Sequence, residues 1–179
     1  MKSKNLIFVL VAGLFTACSS TVDLAIDNPT SQTVSCYVDS LYVEVPPSEV
    51  VWVEMGRGKH SITLDNDSVI SMDFNNRVYM VNPSLSQYLM YEEIYGNAPI
   101  GSAIPKQTVN YLGMELDGNY QVIQNVVNAV LWDYGPREPL PEMIEIEQGE
   151  RPAVIKLMDI NDFLSAISSN AEGTEEPVE

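Results

Sequence analysis

Between residues 22 and 64 apolar and polar residues alternate in runs too short for a helix. VDLAID places Val22, Leu24 and Ile26 on one side, and VSCYVD, LYVEV, VVWVEM and HSITL continue the pattern. A period of two sends successive side chains to opposite faces of a strand. NPTSQT, PPSE and GRGK supply the turn chemistry between these runs. Short strands spaced this closely predict an all-β fold, a β-sandwich of Ig-like or meander type, rather than alternating strands and helices.

The pattern continues less cleanly beyond residue 64. VISMDF, RVYMV and QYLMYEEIY read as two or three further strands. Residues 84–95 also fit a helix, because Leu85, Tyr88, Leu89 and Glu92 share a face. Asn-Pro follows an apolar run twice, in DNPTSQTV and VNPSLSQY, and a proline there ends a ladder. GNAPIGSAIP, residues 96–105, is the best internal boundary, between a sandwich-like part over 22–95 and a second β-rich part over 106–168. In the second part, 121–134 is taken as strand for its Val and Ile content, with a helix as the alternative. MIEIE and AVIKLMDI are expected to form a hairpin, and NDFLSAIS a short C-terminal helix capped by Asn161. Residues 169–179 are acidic and are expected to be disordered.

The N-terminus has a basic start (Lys2, Lys4), a ten-residue apolar run from Leu6 to Phe15, and small residues before Cys18. Those are the parts of a secretory signal peptide, and the run is half the length needed to span a bilayer. Phe15-Thr16-Ala17-Cys18 resembles the lipobox of bacterial lipoproteins, with Phe15 where the common pattern has Leu. The resemblance implies that residues 1–17 are removed and that Cys18 is lipidated by diacylglyceryl and acyl (palmitate-type) chains. Residues 18–21 are then a short tether. Ser19 after the cysteine implies the outer membrane, and the lack of an acidic cluster there favours the periplasmic face over the cell surface. Residues 22–64 also resemble small PEGA-type β-sandwich domains of envelope proteins. The shared part is strand, Val-Pro-Pro, strand, Gly-x-His, strand from Val43 to Leu64, without the Pro-Glu-Gly-Ala signature itself.

The formal net charge is −16, and loss of Lys2 and Lys4 would take it to −18. Such a surface repels phosphate backbones, so no nucleic-acid partner is expected. An anchored form would reach the lipid bilayer through Cys18, not through charge. Cys36 alternates with Val34 and Val38 and reads as a small core residue.

The candidate sites are sparse. His60 is the only histidine, too few ligands for zinc and without a Gly-x-Ser-x-Gly partner, so no metal and no cofactor is expected. DNDS, residues 65–68, lacks the glycine and distal glutamate of a calcium loop and reads as a hairpin turn. Arg57, Lys59 and His60 gather positive charge between Gly56 and Gly58 and are a candidate anion contact, with a solvated hairpin tip as the competing reading. Adjacent Glu92 and Glu93 would point to opposite faces of a strand and cannot act as one catalytic pair. Trp132, Asp133, Tyr134 and Arg137, in a proline-stiffened stretch, are the candidate partner contact.

The expectation is therefore a membrane-anchored envelope lipoprotein that is not an enzyme and that contacts another envelope protein as an accessory or structural component. A surface glycan-binding module using the aromatic residues is the alternative. A hydrolase acting through carboxylates alone is the second alternative.

Overall fold

The computed structural model describes residues 21–96, 101–145 and 152–172. The segment read as a signal peptide, Cys18 and the end of the acidic tail lie outside them. The alternating runs become β1 (Thr21–Asn28), β2 (Val34–Val38), β3 (Leu41–Val45), β4 (Glu49–Gly56), β5 (Gly58–Leu64), β6 (Val69–Phe74) and β7 (Val78–Val81). Further on come β8 (Tyr88–Ile94), β9 (Gln107–Tyr111), β10 (Met114–Gly118), β11 (Tyr120–Ile123), β12 (Val127–Asn128), β13 (Ala153–Met158) and α1 (Ile160–Glu172). The chain is all-β and sandwich-like with one short C-terminal helix, as expected. Among the described residues no helix is long and apolar enough to cross a membrane.

Two four-stranded sheets, ordered β12-β7-β1-β4 and β3-β2-β5-β6, face each other. Val22, Leu24 and Ile26 of β1 meet Cys36, Val45, Ile62 and Phe74 from the opposing sheet in one apolar core. Burial pushes the Cys36 thiol up to about 11, with Asp65 adding to the shift, so at neutral pH it stays a protonated apolar group. A third sheet, β11-β8-β13, covers the other side of the first, so the first sheet is buried on both faces near its centre. Tyr79 and Val81 enter the first core while Met80 between them enters the second, with Tyr88, Met90 and Leu157. Leu89 and Met158 face outward from the third sheet under Tyr111 of the β9–β10 hairpin and Phe163 of α1.

Several expectations need correction. The strands do not run as a simple meander, because β1 pairs with β4 and, in parallel, with β7. GRGK is not a hairpin tip: β4 and β5 belong to different sheets, and Arg57 marks the corner where the chain changes sheet. Gly58 has φ +129° there, a conformation open to glycine and strained for other residues. Within residues 84–95, Tyr88–Ile94 form strand β8, which belongs to the third sheet and not to the first sandwich. The 121–134 stretch holds only the short β11 and β12, and β12 returns to complete the first sheet. Met143–Glu145 are not strand, and β13 pairs with β8 instead. The other edge of β13 is taken by Asp133 and Tyr134, which bond to Ile155 and Leu157, with Tyr134 bridging Lys156 in parallel. The helix cap is Asp159, not Asn161: its Oδ1 accepts from the backbone N–H groups of Asn161 (2.8 Å) and Asp162 (2.9 Å). The helix also runs through Glu172, four residues into the stretch expected to be disordered.

The two Asn-Pro echoes acquire a structural meaning. β1 and β7 lie side by side in parallel, Ile26 beside Val81. Asn28 and Asn82 follow at the same end of the two strands, both fully buried. Each donates through Nδ2 to the carbonyl four residues on, Gln32 and Ser86, at 2.7 Å. Each side chain thus folds the turn that leaves its strand.

Candidate functional site

Alternation along β1 sends Asp27 away from the first core and toward the third sheet. It is 1% exposed, and Asp159, just before α1, is wholly buried. Arg137 reaches both from the proline-rich segment: Nη2 donates to Asp27 Oδ1, and Nη1 donates to Asp159 Oδ2 at 2.5 Å. The Tyr88 hydroxyl, at the start of β8, donates to Asp27 Oδ2 at 2.6 Å. The Arg137 backbone N–H donates to Asp162 at 2.8 Å. Beside it, Lys156 Nζ donates to the carbonyls of Gly135 (2.5 Å) and Glu138 (2.7 Å) and lies 3.4 Å from Asp162.

The electrostatics follow from burial and pairing. Desolvation raises the Asp27 carboxyl above its ordinary value, opposed by the hydrogen bonds from Arg137 and Tyr88. Burial pushes the Tyr88 hydroxyl up, and the neighbouring Asp27 charge pushes it further. Burial also works against the charge on Arg137, but its bonds to Asp27 and Asp159 outweigh it and hold that charge more firmly. The guanidinium fills the space between the two carboxylates, where a substrate of a paired-carboxylate hydrolase would have to sit. The cluster is a clasp joining β1, β8, the proline-rich segment and α1. A buried charge left without its partner in such a cluster is costly.

Above the clasp, Trp52 from β4 and Trp132 approach each other, with ring centroids 6.4 Å apart and planes at 37°. Trp52 is 55% exposed and Trp132 half-buried. They flank a slot of about 30 Å³ lined also by Ala25, Asp27, Met80, Leu157 and Glu138.

The predicted contact residues separate into two kinds. Trp132 helps form this surface. Asp133 and Tyr134 are docked along β13, where Asp133 Oδ2 accepts the Ile155 N–H at 2.7 Å and Tyr134 N–H donates to the Ile155 carbonyl at 3.1 Å. Arg137 turns inward and is spent on the clasp. The predicted anion contact is not drawn together. His60 is occupied at both ring nitrogens, by Asp39 Oδ2 (2.7 Å) and the Gly56 carbonyl (2.9 Å). Lys59 lies opposite Asp73 on β6, and Arg57 is exposed at the corner. DNDS is a hairpin turn between β5 and β6. On β8, Glu92 is tied to the Ser102 hydroxyl and to the Ala103 N–H (2.8 Å).

Asp27, Asp159 and Trp52 were not singled out in sequence, and Tyr88 entered there only as one member of a helix-like face. Asp27 precedes Asn-Pro at a strand end and Asp159 precedes a helical stretch, positions that explain a polar residue locally without pointing to a shared centre. Fold and site together define a layered all-β protein with a buried ionic clasp beneath a tryptophan pair of which Trp52 is exposed. Comparison with protein-family models, with curated proteins and with solved structures finds no match for this chain.

Proposed function

We propose that this chain is a lipid-anchored envelope protein, held at the outer membrane by acylated Cys18 with the periplasmic face favoured, that acts as a non-catalytic accessory contact for another envelope protein. The observation that carries the contact reading is the exposed tryptophan of β4. Trp52 offers a large apolar face with a polar tip to solvent, the chemistry that anchors protein interfaces. Val50, also exposed, lies on the same face of β4. The anchor reading is supported by position. Strand β1 begins at Thr21, three residues beyond Cys18, so the first strand would start within about 10 Å of the lipid.

The test is in-cell crosslinking from a photoreactive residue at position 50. The expected product is a discrete adduct with a second envelope protein, and recovery of monomer alone rejects the contact reading. For the anchor, Cys18→Ala is expected to stop processing and fatty-acid labelling, and normal maturation of that variant rejects it. The same tryptophan pair favours glycan binding as a second reading, since sugars stack on indole rings. The 37° tilt departs from a flat stacking platform. Saturable binding of a neutral oligosaccharide would decide for it.

A further inference from the structure

Trp52 and Trp132 are the only two tryptophans of the chain, and both stand at one small slot. Its volume, about 30 Å³, exceeds the ~10–15 Å³ that a single water-sized group needs. An ammonium group has that size, and a guanidinium is much larger. Its floor is apolar, from Ala25, Met80 and Leu157, and its polar lining includes the carboxylates of Asp27 and Glu138. Glu138 is exposed at the rim, and its Oε2 accepts the Gly135 N–H at 2.6 Å. The next pair along the same sheet face, Asp23 beside Glu54, adds two more carboxylates. The two neighbouring cations are already engaged, Arg137 with Asp27 and Asp159 and Lys156 with the carbonyls of Gly135 and Glu138.

Aromatic rings attract cations through their quadrupole, and carboxylates at the mouth of such a site reinforce that preference. They repel anions. The carrier of the cation also follows from position: among the described residues β4 is an edge strand, bonded to β1 alone, so its outer side is open to an extended chain. We propose that the slot between Trp52 and Trp132 receives the ammonium group of a lysine from a basic segment of the protein partner. The lysine stem packs along Trp52 and Val50, and its head meets the indole rings and Glu138. This rests on the accessory-protein reading above and gives its partner a chemistry.

The two tryptophans make the slot its own reporter. The full chain in detergent micelles is titrated with pentalysine while indole emission is followed. Saturable change is expected, and the Nε-acetylated peptide is expected to bind about tenfold more weakly or worse. Glu138→Gln keeps the oxygen that accepts from Gly135 and is expected to weaken pentalysine by about fivefold. Glu115→Gln removes the same charge from the exposed β10 and is expected to change nothing. Equal binding of the acetylated peptide, equal loss in Glu115→Gln, tighter binding of pentaarginine, or saturation by a neutral oligosaccharide alone would each overturn the proposal. A partner captured from position 50 with no pentalysine response rejects the lysine slot alone. Pentalysine binding without any captured partner rejects the accessory reading alone.

Discussion

Arg137 sits in the left-handed region at φ +64°, where a residue with a side chain carries strain on the order of 1 kcal/mol or more. Three bonds hold it there: its backbone to Asp162 and its guanidinium to Asp27 and Asp159. Arg137→Met leaves two buried carboxylates without their cation and should destabilise the fold by about 3–5 kcal/mol near neutral pH, measured by urea denaturation. The sign of the pH dependence follows from Asp27. Its carboxyl is raised above 3.8, so the native chain keeps this proton where the unfolded chain has released it. The contribution of Asp27 is therefore greatest below 3.8 and is lost as pH rises through the raised value. Without Arg137 the rise is larger, so the penalty of Arg137→Met should shrink on going from about pH 7 to pH 4. A penalty independent of pH would show that Asp27 does not carry it. Nothing local marks Arg137 as an inward residue. A charged side chain among prolines reads as solvated, and its decisive partner lies 110 positions away.

At the scale of elements, Asp159 does two jobs, capping α1 and pairing with Arg137. Asparagine caps a helix as well as aspartate does, whereas alanine does not. Asp159→Ala should therefore cost about 1 kcal/mol more than Asp159→Asn in thermal unfolding. The corner between β4 and β5 offers a second comparison. A methyl group added at Gly56 or Gly58 meets nothing within 4 Å, yet only Gly58 has positive φ. Gly58→Ala should cost about 1–3 kcal/mol from backbone strain alone, and Gly56→Ala well under 1 kcal/mol. Equal effects would mean that the corner relaxes. Strands β1 to β5 were legible because one side of most of them faces a core and the other faces water. β8 was read as a strand with a helix left open, because Tyr88 and Met90 enter one core while Leu89 enters another, which erases the alternation. The sheet change at Arg57 was equally hidden, since a glycine-bounded corner and a glycine-bounded hairpin carry the same residues.

Over the whole molecule, the layers bury a set of tyrosines. Burial raises Tyr91 from 10 to about 12, and raises Tyr88 and Tyr111 as well. The unfolded chain releases these protons first, so stability is lost as pH rises above about 10. Of the nine tyrosines, these three should form tyrosinate only together with loss of the far-UV dichroism. Titration of all nine with the dichroism intact would contradict the buried placement. The all-β class was readable from alternation, but the layering was not, because it depends on which sheet each strand joins. The central place of β1 also bears on time. Its sheet neighbours are β4 and the parallel β7, and its last fastening comes from Arg137. A chain is synthesised N-terminus first, so β1 is made before β4, β7 and Arg137 and completes its pairing late. Non-local pairing of this kind places folding in the millisecond-to-second range. During that interval the unpaired strand is the segment most exposed to aggregation and most in need of an escort.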